Sequence, residues 1–428
     1  MRSGTNGDTE DEHTSLLAHL HQPEGSPLYK DDRVWVRWPA NVVYLTYKTL
    51  ASSYVNVLLV FVPLGIIAGA LGWSPTAVFL LNFFAIIPLA ALLSFATEEL
   101  STKLGETLGG LLNATFGNAV ELIVSIVALR EGQIRIVQSS MLGSILSNIL
   151  LVLGCAFLAG GYRKNMQEFN GTVASTMSSL MAVASASLII PATLYAVMAT
   201  GTTEERKETE NQILVLSHGT AIILLILYVL YLFFQLKTHA DLFEGKVDDD
   251  DEGAHQEPEE PQILSPWAAG VALVAITLCV AVCAEYLVDS IDSIVETAHI
   301  SKTFIGLILL PIVGNAAEHV TAILVSLKSK MDLAIGVAIG SSMQIALFVT
   351  PSLVILGWII GENMTFHFEV FETVVFFLSV LVVNYLIQDG KSNYLEGAML
   401  IGIYIIIALA FYVYPDSVGS SKPGPLDL

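Results

Sequence analysis

Two carboxylates lie where an otherwise apolar sequence offers them no partner. Glu121 closes the segment Gly117-Asn118-Ala119-Val120-Glu121, and Glu318 closes Gly314-Asn315-Ala316-Ala317-Glu318, with 197 residues between the copies. The same displacement sets Gly109 on Gly306, Ile126 on Ile323, Gly143-Ser144 on Gly340-Ser341 and Ser147 on Gln344. Each glutamate falls deep in a run of about twenty apolar residues, long enough to cross a bilayer. A charged carboxylate at that depth costs at least ~2.5 kcal/mol on insertion scales, so it needs a proton or a cation. Two carboxylates facing each other across a dry site do not readily ionise together, and protons then compete with metal for them.

Oxygen donors without thiolates suit calcium, or manganese, rather than zinc or copper. Calcium takes more oxygens than two carboxylates supply. The other candidate ligands are the side chains of Asn118, Asn315, Ser144, Ser147, Ser341 and Gln344, the carbonyls near Gly117 and Gly314, and water. Pro311 lacks an amide hydrogen and frees a carbonyl one turn earlier, which is expected to face the cation. His319 points about 100° around the helix from Glu318 and is expected to support the site rather than ligate. Glu318-His319 is not the His-Glu-x-x-His of zinc peptidases, which argues against an intramembrane enzyme. A site that holds either calcium or protons, and never reorients empty and charged, performs antiport and needs no resident cofactor.

These residues must be positioned by helices in lipid. With 54% hydrophobic residues, 14% charged residues and a mean hydropathy of +0.66, the chain has too much apolar surface for a water-soluble core. Unbroken runs of this length fit helices rather than the short alternating strands of a barrel. Eleven runs are expected to span the bilayer: 54–72, 76–95, 108–129, 136–160, 173–198, 219–236, 267–288, 304–327, 333–360, 370–387 and 395–414. The third and eighth runs are five apart, so their shared motif crosses the membrane in opposite directions. The expected fold is therefore an all-α membrane protein with one extra helix (51–73) and two inverted five-helix repeats, 74–238 and 264–415. A polar tail (1–50), an acidic linker (239–263) and a short C-terminal tail (416–428) complete it. Gly109, Gly110 and Gly117 loosen the third run, while Pro311 and Gly314 interrupt the eighth, as in transporters whose sites lie where two repeats meet.

The net charge of −21 makes nucleic acid an improbable partner; the lipid bilayer is the expected one, and self-association into a homo-oligomer is compatible with the sequence. Cys155, Cys279 and Cys283 lie in apolar stretches and read as core. The N-terminal segment lacks the features of a cleaved signal peptide. With the N-terminus in the cytosol, 13 Lys and Arg fall on the cytosolic side and 6 on the other, the arrangement that the positive-inside rule favours. Asn363, in Asn-Met-Thr, then lies on the far side as a glycosylation candidate. Asp248, Asp249, Asp250, Asp251 and Glu252 crowd the linker, Glu98 and Glu99 end the second run, and Glu285, Asp289, Asp292 and Glu296 share one face of the seventh run and its extension. All are expected to gather calcium at the cytosolic mouth and to regulate transport.

On the motifs at 117–121 and 314–319, the chain resembles the calcium/cation antiporter superfamily, within it the vacuolar calcium/proton exchangers and most nearly the fungal ones, from about residue 41 to 414. That resemblance implies calcium binding by Glu121 and Glu318 with help from Ser144, Ser147, Ser341 and Gln344. It also implies protons as counter-ion, an acidic helix between the sixth and seventh spans, and a vacuolar or other acidic-organelle membrane. Glu12, Leu16 and Leu17 resemble an acidic dileucine address for such compartments. The alternatives are a sodium- or manganese-coupled exchanger of the same fold, a calcium channel, or a sensor built on the linker.

Overall fold

In lipid every backbone amide must be satisfied within the chain, and helices lie over each of the apolar runs. The computed structural model describes residue 43 and residues 46–50, 53–198, 203–240 and 264–414. Glu12, Leu16, Leu17, Asp248, Asp249, Asp250, Asp251 and Glu252 lie outside them. Helix α1 covers Tyr54–Ala70, α2 Pro75–Ser101, α3 Gly105–Phe116, α4 Ala119–Arg130, α5 Ile134–Tyr162, α6 Gly171–Met198 and α7 Lys207–Thr238. After the linker come α8 Pro266–Asp289, α9 Ile291–Ala298, α10 Lys302–Gly314, α11 Ala316–Leu327, α12 Met331–Ile360, α13 Val370–Leu386 and α14 Tyr394–Val413. Among the described residues seven helices are long and apolar enough to cross a membrane, or eight if α9 and α10, bent by 120°, count as one span.

Several boundaries depart from expectation for local reasons. The sixth run is lengthened by a polar stretch that is helical from Thr203, because its Glu, Lys and Gln residues are good helix formers. The third run is two helices, α3 and α4, parted at Gly117 and Asn118, and the eighth is likewise parted into α10 and α11 at Asn315. The fold is also not purely helical: Gln167–Glu168 pairs antiparallel with Lys391–Ser392, which ties the connection after α5 to the one after α13.

Helices α5 and α12 form the centre of the bundle and carry short π-helical segments at Ser147–Val152 and Ile345–Val349. A π turn rotates the following residues and re-aims their side chains, and such turns recur at functional sites. Against this centre pack the two broken helices. Gly143 of α5 lies against the backbone of α10, since a Cβ there would sit 2.2 Å from the Leu307 carbonyl oxygen. Gly306 of α10 is equally close to Ser139 of α5. The freed carbonyl expected from Pro311 is therefore covered by α5 instead of facing an ion.

Candidate functional site

Each break sets its glutamate in the first turn of a new helix, Glu121 in α4 and Glu318 in α11. Helix N-termini carry unpaired amides and about half a positive charge, which favours a carboxylate or its cargo there. Glu121 reaches across to the other break: a Cβ on Gly314 would lie 2.9 Å from its Oε1. Glu318 adjoins Glu121 closely enough for the two charges to interact. Neither Glu121 Oε1 nor Glu318 Oε2, both buried, finds a hydrogen-bond partner among the described residues. Glu121 is buried as a residue, whereas Glu318 is half-buried.

The two asparagines before the breaks make cross-bundle contacts. Asn315 donates from Nδ2 to the Ser144 carbonyl of α5 at 3.1 Å, and its own Oδ1 is buried without a partner among the described residues. Asn118 lies within a chain of hydrogen bonds: Asn148 Nδ2 donates to Ser341 Oγ at 2.9 Å, Ser341 donates to Asn118 Oδ1 at 2.7 Å, and Asn118 Nδ2 donates to Gln344 Oε1 at 2.6 Å. Gly117 lies near the same Gln344 oxygen. Thus Asn118 of one broken helix engages α12, and Asn315 of the other engages α5. Ser147 is fully buried beside the Tyr404 hydroxyl, and Ser144 lines a small cavity beside Glu121. His319 bonds through Nδ1 to the Asn315 carbonyl at 2.8 Å, one turn back on its own helix, so that nitrogen is committed to shaping the break.

The acidic residues do not gather at one mouth. Glu99 accepts the Leu264 amide at 2.8 Å, which places the end of α2, with Glu98 and Glu99, beside the start of α8. A cavity at the opposite end of that antiparallel pair is lined by Pro75 and Val78 of α2 together with Tyr286 and Asp289 of α8. Glu285, Asp289, Asp292 and Glu296 belong to that opposite end. The physical reason is that α2 and α8 run in opposite directions, so their C-terminal carboxylates diverge. Asp292 is moreover engaged, pairing with Lys302 and accepting from Gln133 Nε2 at 3.0 Å.

Three further polar groups escaped the sequence pattern. Asn148 has Ile345 at its repeat-related position, Ser125 has Ala322 and Ser140 has Val337, so the common displacement gave no signal for them. Arg135 at the start of α5 donates to both oxygens of the fully buried Glu372 of α13 and to Thr303 of α10. Arg135 and Glu372 are 237 residues apart, and neither lies in the repeated motif.

The sequence model described as Sodium/calcium exchanger protein matches residues 74–237 and 268–413. A vacuolar calcium ion transporter of Schizosaccharomyces pombe is 54% identical over 376 residues, covering 88% of this chain and 89% of that protein. A vacuolar cation/proton exchanger of Arabidopsis thaliana is 44% identical over 384 residues, covering 88% and 85%. Among solved structures, that of the selenium-substituted Ca2+/H+ antiporter protein YfkE aligns with a TM-score of 0.69 at 36% identity, covering 84% of this chain and 99% of that one.

Proposed function

The chain belongs to the sodium/calcium exchanger family, and from that premise we propose that it moves calcium out of the cytosol into an acidic organelle in exchange for protons. The proposal rests on one juxtaposition: Glu121 of one broken helix reaches Gly314 at the break of the other and interacts with Glu318, and one oxygen of each carboxylate has no protein donor among the described residues. Like charges ~4 Å apart repel by about 4 kcal/mol at an effective dielectric of ~20. A divalent cation removes that repulsion by neutralising both groups, and protons remove it by occupying them. The two kinds of occupant exclude each other, and this exclusion couples their fluxes.

Calcium is held by Glu121 and Glu318, with the Asn315 amide oxygen, the Ser147 hydroxyl and the carbonyls at the breaks as further hard donors. Asn118, Ser341 and Gln344 already satisfy one another, so they shape the site and keep spare lone pairs for the ion. Manganese takes similar donors and is a second candidate cargo.

The chain spans the membrane eleven times, with α1 outside two inverted repeats. Support comes from helix over every apolar run and from one family model matching both 74–237 and 268–413. The N-terminus is cytosolic, and the membrane is vacuolar, as named for the relatives. Alternating access is supported by an asymmetry between the repeats. α10 is pressed onto α5 at Gly143 and Gly306, whereas the related Gly340 of α12 meets only the tip of Met177, and Gly109 of α3 packs on Ser101 of α2. In the proposed orientation this packing of α10 on α5 closes the organelle side.

In proteoliposomes made acidic inside, calcium uptake should occur, collapse with a protonophore and vanish in Glu121→Gln and Glu318→Gln. Uptake that persists with the protonophore, or that a sodium gradient drives equally well, refutes proton antiport.

A further inference from the structure

The two glutamates have unlike surroundings. Beside Glu121, toward the C-terminal end of α4, a small cavity has room for about one water molecule. Its polar lining is Glu121, Ser125, Ser140 and Ser144; Leu287 of α8 and Leu310 of α10 are among the apolar residues that seal it. Ser125 stands one helical turn beyond Glu121 on the same face of α4. It is 2% exposed, and its Oγ has no hydrogen-bond partner among the described residues. Glu121 Oε1 is orphaned in the same way. A buried hydroxyl without a partner costs about 1–3 kcal/mol, and in this mostly apolar cavity Ser125 Oγ and Glu121 Oε1 supply two polar partners for a bridging water.

We propose that Ser125 and a water held between it and Glu121 form the last step of a proton path from the organelle side to Glu121. Ser140 lies one turn from Ser144 on α5 and extends the hydroxyl lining toward that same side. A proton reaching Ser125 Oγ passes the original hydroxyl proton to the water, and the water passes one of its own to Glu121 Oε1. Serine and water each end with the hydrogens they began with, and only the carboxylate gains one. Access to the lumen follows when α10 withdraws from α5 and uncovers the sealed end. Glu318 has no counterpart of this lining, because Ala322 and Val337 stand where Ser125 and Ser140 would be repeated. The titratable group against Glu121 is Glu318.

This inference rests on proton antiport, and wild-type uptake in acid-loaded proteoliposomes tests that premise separately. Ser125→Ala should lower the maximal rate about tenfold, less than the ~10²-fold that a positioned proton donor typically supplies, because a second water can enter the vacated space. The calcium concentration for half-maximal uptake should stay the same, the slowing in heavy water should grow, and Ser125→Thr, which keeps the hydroxyl, should recover most of the rate. Calcium-dependent thermal stabilisation of each purified variant checks that it folds and binds. A normal maximal rate in Ser125→Ala overturns the inference. So does a raised half-maximal calcium concentration at unchanged maximal rate, which would make Ser125 a calcium ligand instead.

Discussion

Adding one methyl group at Gly314 tests whether Glu121 works at the opposite break. A Cβ there would lie 2.9 Å from Glu121 Oε1, 3.3 Å from its Cδ and 3.4 Å from its Cγ. Ordinary contact with the oxygen requires about half an ångström more, and the flexible carboxylate, not the backbone, would yield. Fixed ligands lose function when displaced by roughly 0.5 Å or more, so the cost falls on calcium and leaves folding intact. Gly314→Ala should weaken apparent calcium affinity about tenfold, equivalent to about 1.4 kcal/mol. Thermal stability should hold or rise slightly, since alanine favours helix over glycine by up to ~1 kcal/mol. Gly402→Ala, where a Cβ meets nothing within 4 Å, is the control and should leave affinity unchanged. Calcium titration of the initial uptake rate into acid-loaded proteoliposomes, paired with thermal unfolding, separates the two effects. Wild-type affinity in Gly314→Ala would show that Glu121 does not occupy this position during binding.

Arg135→Ala strands the fully buried Glu372 carboxylate and should cost about 3–5 kcal/mol in thermal or denaturant unfolding, while Arg135→Met combined with Glu372→Met should recover most of it. His367, in the connection between α12 and α13, stacks on Tyr195, and burial together with nearby Arg135 pushes its imidazole down to about 4. Because the unfolded chain takes up a proton near ~6.5 and the folded one only near 4, this stabilisation is complete above ~6.5 and is lost as pH falls toward 4. Wild type should therefore lose up to about 2 kcal/mol more than His367→Gln between pH ~7 and pH ~5, measured as the difference in unfolding temperature. Asn148→Leu removes the donor to Ser341 and loosens the chain to Asn118 and Gln344, so calcium affinity should fall several-fold; an unchanged calcium titration would exclude a role for that chain.

Asn148, Ser125 and Ser140 show where repeat-based reading stops. A residue was singled out when the same displacement placed a polar mate opposite it, as with Ser144 and Ser341. Residues facing Ile345, Ala322 and Val337 gave no such echo, although their side chains lie at or beside the site. The misgrouped carboxylates had a different origin. Glu98, Glu99 and the Glu285 to Glu296 row share their charge and end repeat-related helices, and the opposed directions of α2 and α8 send them to opposite ends.

The sequence alone determined the apolar runs, the repeated glutamate motif and the helix breaks, because lipid tolerates few polar residues and each of these marks is local or regularly displaced. Only the tertiary structure decided that Glu121 reaches Gly314, that the carbonyl freed by Pro311 is covered by Gly143, and that α10 is clamped to α5 while α3 is not pressed onto α12. Those outcomes depend on which backbone surfaces come within van der Waals range across the bundle. Packing at that range is settled by the contacts of the whole assembly and by no single segment of the chain.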